Sequence, residues 1–134
     1  FVHRGQHAVF NPQNKGDISN PGFVVGEEAV AVIDTGGSPQ VGRELRAAVT
    51  SITDKPIRYV INTHMHPDHV FGNVAFEADG RVFVGHHKLA RGLTARSERY
   101  LAINKDLLGP EAFEGTKIIP PTLTVEGTRT LDLG

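Results

Sequence analysis

The run Thr63-His64-Met65-His66-Pro67-Asp68-His69 gathers four metal-binding side chains, His64, His66, Asp68 and His69, into six residues. Imidazole nitrogen and carboxylate oxygen together suit zinc, with iron or manganese as alternatives. The spacing carries geometry. Side chains two residues apart share one face of an extended chain, whereas on a helix they diverge by about 200°. Pro67 disfavours the helical region for His66 and keeps it extended. His64 and His66 can therefore reach one ion from the same side. Asp68 and His69 lie past the bend and can aim at a second point nearby. The pattern is not the His-Glu-x-x-His helix motif, whose histidines are four apart. The competing reading is a polar loop with solvated histidines.

A strand must deliver this run, and the flanking pattern supplies one. Ile57–Ile61 reads as a buried strand opened by Pro56. Upstream, Gly22–Gly26 and Ala29–Ile33 read as a hairpin about Glu27-Glu28. Asp34-Thr35-Gly36-Gly37 breaks the second strand. Ser38 and Pro39 then form a helix start, with Ser as the cap and Pro in the first turn. Val41, Leu45, Ala48, Val49 and Ile52 follow at helical spacing, and Gly42 weakens that helix. Strand, helix and strand make a βαβ unit with a parallel pair.

The remaining chain reads as secondary features around that unit. A weak edge strand is expected near Gln6–Phe10, and a short helix over His69–Ala75. A strand is expected at Arg81–Val84. One or two helices follow over His86–Leu108, stopped by Gly109-Pro110. A final hairpin is expected from Thr122–Val125 and Thr128–Leu131 about Glu126-Gly127.

These residues resemble the metallo-β-lactamase superfamily of metallohydrolases. The likeness rests on Thr-His-x-His-x-Asp-His at 63–69, on Val-Ile-Asp-Thr-Gly at 32–36 and on the order of elements between them. It runs from about Gly22 onward. Asn11–Asp17 and His66–Asn73 look like the quinoprotein-relay zinc metallohydrolase branch. The resemblance implies the N-terminal half of an αββα sandwich, an α/β fold. It implies a first zinc on His64 and His66 and a second on Asp68 and His69. A metal-bridging hydroxide would attack a small substrate such as an ester, thioester or lactam. Asp68 would also take up or relay a proton, and Asp34 would hold the motif loop by hydrogen bonds. The quinoprotein-relay likeness suggests an exported, periplasmic protein.

The superfamily completes its site with a third His, a bridging Asp and a last His downstream. After His69 this sequence has only His86 and His87. They are expected at a helix start rather than on metal. The chain thus carries two ligands per ion and reads as half of a hydrolase, inactive alone. Its missing half would leave the inner sheet face bare. Val30, Val32, Val60 and Ile61 are expected there, so a homo-oligomer, a domain swap or a companion C-terminal fragment should cover them.

Composition removes other classes. The 134 residues suffice for one domain, 39% hydrophobic and 22% charged, with formal net charge -1. The absence of cysteine excludes disulfide, zinc-thiolate and Fe–S chemistry. The charge balance and the lack of a long apolar run argue against nucleic acid and membrane as partners. Arg81, Lys88, Arg91, Arg96, Arg99 and Lys105 read as a solvated helix face. Asp34-Thr35-Gly36 also resembles an aspartic-protease motif, in which two carboxylates share a proton across a dimer. A helix opening at Ser38 does not suit that all-β fold. Gly36-Gly37-Ser38 reads as a tight turn rather than an anion cradle.

Overall fold

A computed structural model describes residues 1–78 and 80–134. Its centre is a five-stranded sheet in the order β1-β2-β3-β4-β5: β1 Gly22–Val25, β2 Val30–Ile33, β3 Ile57–Ile61, β4 Val82–His86 and β5 Leu123–Val125. β1 and β2 are antiparallel, and every later pair is parallel. α1 (Pro39–Ile52) provides the crossover from β2 to β3. The expected βαβ unit is therefore present. Ser38 caps α1 by accepting the Val41 N–H at 3.2 Å, a contact worth about 1 kcal/mol in such positions.

After β3 the chain enters α2 (Pro67–Val70) and a 3-10 turn, Phe71–Phe76. The helix thus begins two residues before the expected His69, because Pro67 is favoured in a first helical turn. The long helix α3 spans Leu89–Phe113 and is interrupted at Gly109, whose φ of 78° lies in the left-handed region. Gly109-Pro110 ends one helix as expected. Pro then opens a last short turn instead of leaving the chain irregular.

Three expected strands differ. Gln6–Phe10 is irregular, and Val2 makes the isolated bridge to Gly22 instead. β4 runs on to His86, two residues past the expected end. Thr128–Leu131 forms no strand. Thr128-Arg129-Thr130 has no large apolar side chain to bury, and β5 makes its ladder with β4. The chain end instead turns back toward β1 and β2, where the Leu133 carbonyl accepts the Glu28 and Ala29 N–H groups.

Strand alternation sorts the sheet into two faces. Val32, Val60 and Phe83 are cross-strand partners, and with Val30 and Phe23 they are buried against Leu45, Val49 and Phe76. The other face carries the triplets Ala31, Tyr59, Val82 and Ile33, Ile61, Val84. None of these six joins either core cluster under the helices. The expectation of one bare face with Val30, Val32, Val60 and Ile61 is thus corrected. The three valines are fully buried under α1, and only Ile61 looks the other way. Val60 and Ile61 are adjacent, so a period of two forbids them a common face.

Gly42 has a use that its helix propensity hides. It lies against Gly72, and the two backbones meet where α1 crosses the 3-10 turn. A Cβ on Gly72 would collide with the Thr35 carbonyl oxygen and the Gly42 backbone. Gly72→Ala should therefore lower stability by about 3 kcal/mol, the upper range for overpacking. Urea melts compared with Gly80→Ala check this, because Gly80 has nothing near its Cβ position and its alanine carries only the strain of a φ of 81°, about 1 kcal/mol. Equal losses in the two variants would refute the close-approach account.

Candidate metal centre

Parallel strands open their ligand sites at their C-terminal ends. Asp34 follows β2 and Thr63 follows β3. The Asp34 N–H still donates to the Ile61 carbonyl at 2.8 Å, and the Asn62 N–H to the Val84 carbonyl at 2.9 Å. The sheet ladder therefore delivers Asp34 beside Thr63. Asp34 adopts φ 55°, a left-handed conformation that Asp tolerates better than most residues. That bend turns its buried carboxylate back over the motif.

The carboxylate accepts three hydrogen bonds. Thr63 N–H donates to Oδ1 at 2.8 Å, Thr63 Oγ1 to Oδ2 at 2.7 Å, and His69 Nδ1 to Oδ2 at 2.8 Å. Thr63 has a single hydroxyl proton, spent on Asp34. Its 3.0 Å contact with His64 Nδ1 must then be a bond donated by the imidazole. Asp34 so orients His69 directly and His64 through Thr63. In the neutral His64 ring this leaves Nε2 with its lone pair. In both rings Nε2 is directed away from the Asp34–Thr63 anchor.

His66 is extended, with φ -67° and ψ 146°, as Pro67 requires. The rings of His64 and His66 lie 4.8 Å apart, and those of His64 and His69 4.0 Å apart. His69 Nε2 stands 3.1 Å from Asp68 Oδ2. That is hydrogen-bond distance, and it places an imidazole nitrogen and a carboxylate oxygen side by side, two donor types that zinc accepts. The donor set, three imidazoles and a carboxylate, also fits zinc chemistry. Among the described residues, no group of three or more His, Asp or Glu side chains is arranged to hold a metal ion.

Electrostatics follow from this packing. Burial pushes the His69 imidazole down. The hydrogen bonds that it donates to the Asp34 and Asp68 carboxylates, with their charges, outweigh this and raise the pKa to about 9. His64 is lowered, first by burial and then by the neighbouring His69 and His66. Burial alone would raise Asp68. The His69 hydrogen bond and charge outweigh it, and the carboxyl is lowered.

The backbone beneath the motif is held by residues that the sequence reading did not single out. Asn62 and Asn73, both fully buried, exchange side-chain hydrogen bonds of 3.0 and 2.8 Å. Thr35 Oγ1 stands 2.8 Å from Asn73 Oδ1 and 3.2 Å from the His69 carbonyl, which also accepts the Thr35 N–H at 3.0 Å. Ser19 Oγ donates to the Asp68 carbonyl. The nearest sequence signal was their polarity: Asn62 ends an apolar strand, and Asn73 follows Val70-Phe71-Gly72.

His86 ends β4, and its Nδ1 accepts the Lys88 N–H at 3.2 Å, a local cap near the start of α3. Its ring lies 4.2 Å from that of His87, tilted by 41°. The Asp34-Thr35-Gly36 turn leads into α1, and Asp34 is engaged with Thr63 and His69, so the aspartic-protease resemblance has no counterpart here. The Gly36-Gly37 turn is tight, since a Cβ at either glycine would meet Val41, Phe10 or Gly16.

The family model of the metallo-beta-lactamase superfamily matches residues 14–133. The chain belongs to that superfamily. Among solved structures, it is similar to a metallo-beta-lactamase from Pontibacter korlensis, with a TM-score of 0.62 and 22% identity. That match covers 87% of this chain and 45% of the other. The metallo-beta-lactamase FIM-1 from Pseudomonas aeruginosa, in its mono-zinc form, matches with a TM-score of 0.57 and 18% identity. It covers 81% of this chain and 39% of that one. These likenesses show a shared fold. A linear primary-alkylsulfatase of Pseudomonas sp. (strain ATCC 19151) is 40% identical over 58 residues, which are 43% of this chain and 11% of that protein. The chain thus spans less than half the length of each. The superfamily is mostly hydrolytic, and the mixed α/β sheet is the part of its fold seen here.

Proposed function

We propose that this chain supplies one half of a zinc-dependent hydrolase centre. The observation that carries the reading is the double hold on His69, with Nδ1 on Asp34 and Nε2 facing Asp68. A metal-binding imidazole is commonly fixed this way, its far nitrogen anchored to a carboxylate. His64 and His66 would hold one ion, and Asp68 and His69 a second. Bound zinc supplies Lewis acidity, which acidifies water and polarises the bond to be cleaved. Asp34 keeps both outer histidines aimed, and Asp68 takes up or relays a proton. The substrate would be a small ester, thioester or lactam, and the alkylsulfatase likeness adds sulfate esters to that set. Iron or manganese in place of zinc is compatible with the same donors.

With two protein ligands per ion, against three or more in ordinary catalytic zinc sites, the isolated chain should bind zinc weakly. It should also hydrolyse little. Zinc titration followed by calorimetry, alongside hydrolysis of a chromogenic ester and a sulfate ester, tests this. Weak binding that tightens, with activity, when a C-terminal companion of the superfamily fold is added supports the reading. No bound zinc and no hydrolysis in any combination would favour a non-catalytic assembly module with an incomplete metal site, and tight stoichiometric zinc in the isolated chain would overturn the half-site reading.

A further inference from the structure

A shallow, open recess of about 240 Å³ lies beside the motif, and Pro67 and Asp68 line one side of it. The N-terminal loop lines a second side through Val9, Phe10 and Ile18. Leu107 and Asn104 of α3 line the third. The lining is apolar except at Asp68 and Asn104. Val9 is 78% exposed and Leu107 44% exposed, although each sits beside a well-packed core residue. Large apolar side chains left exposed beside polar groups are places where an apolar ligand group gains by leaving water.

We propose that this recess receives the unbranched apolar chain of the substrate, an alkyl or acyl tail, with the reacting head toward the histidines. The proposal rests on the hydrolase reading for the head and on the recess alone for the tail. Three features support a tail over a ring or a peptide. The volume is below the range typical of drug-sized ligands. The walls carry no aromatic ring at the rim, since Phe10 is buried. The polar groups lie at Asp68 and Asn104 and are not spread along the walls.

Chelator-treated protein with methyl esters from butanoate to decanoate separates the two readings, because tail binding needs no metal. Methyl-resolved NMR titration gives each Kd. Each added CH₂ should lower Kd about fourfold until the recess is filled, from about 0.8 kcal/mol per buried methylene. Leu107→Gln should weaken the longest ester about tenfold. Ile103→Gln, on the same helix but outside the lining, should leave Kd unchanged. A Kd independent of chain length would overturn the proposal. So would equal effects of the two variants, or a Leu107→Gln effect seen only as a change in self-association. Failure of ester hydrolysis after zinc and a C-terminal companion of the superfamily fold are both added would count against the hydrolase reading and leave the chain-length result standing.

Discussion

Replacing Asp34 by alanine should weaken zinc binding by 10- to 100-fold and cost about 3 kcal/mol of stability in the metal-free chain. The first figure is the usual consequence of removing a carboxylate that orients a metal-binding imidazole. Here the loss acts on both pairs, because Asp34 holds His69 directly and His64 through Thr63. The second follows from stranding three donors, the Thr63 N–H and hydroxyl just past β3 and His69 Nδ1 in α2. Each partly buried group left without a partner costs about 1 kcal/mol or more. Asp34→Asn is the informative companion. It keeps the volume and one acceptor oxygen, so stability should largely return. Its amide cannot accept from both Thr63 and His69 as before, so zinc affinity should recover only in part. Calorimetric zinc titration and urea melts on the three proteins check this. Unchanged affinity in Asp34→Ala would mean that the motif loop holds its own shape.

Lysine at position 60 and lysine at position 61 should have opposite outcomes. Val60 is fully buried among Val32, Leu45, Val49 and Phe83, so Val60→Lys should prevent folding, since a buried unpaired ammonium is among the most costly changes. Ile61 faces away from the helices and is only half-buried, so Ile61→Lys should fold. That second face holds Ile33, Tyr59, Ile61 and Val82, with Val24 about half exposed at its edge. We propose that a second copy of the chain covers it, because a contiguous apolar face of this kind does not stay in water. The wild-type chain should then sediment as a dimer, and Ile61→Lys as a monomer with near wild-type thermal stability. A monomeric wild-type chain, or a dimer indifferent to Ile61→Lys, would refute the proposal.

Much of the local structure was legible because it depends on neighbours in the chain. Ser38-Pro39 starts a helix whatever the fold, and Pro67 keeps His66 extended by a steric contact with the preceding residue. The bunching of His64, His66, Asp68 and His69 is likewise a property of six consecutive residues. Where the reading failed, it needed information from outside the segment. Thr128–Leu131 had turn chemistry in front of it but no surface to bury against. The grouping of Val60 with Ile61 ignored which face α1 would take.

The sequence by itself determined the ligand types, their spacing, the βαβ frame and the likeness to the superfamily, because each is written in short-range pattern. Tertiary structure alone decided how those ligands are held. The Asp34 carboxylate reaches Thr63 and His69 across 29 and 35 residues. The Asn62–Asn73 pair and Thr35 lock the loop from three separate segments of the chain. No periodicity encodes such contacts. They arise because parallel pairing sets the ends of β2 and β3 side by side, and because Gly42 and Gly72 let α1 and the 3-10 turn close over them.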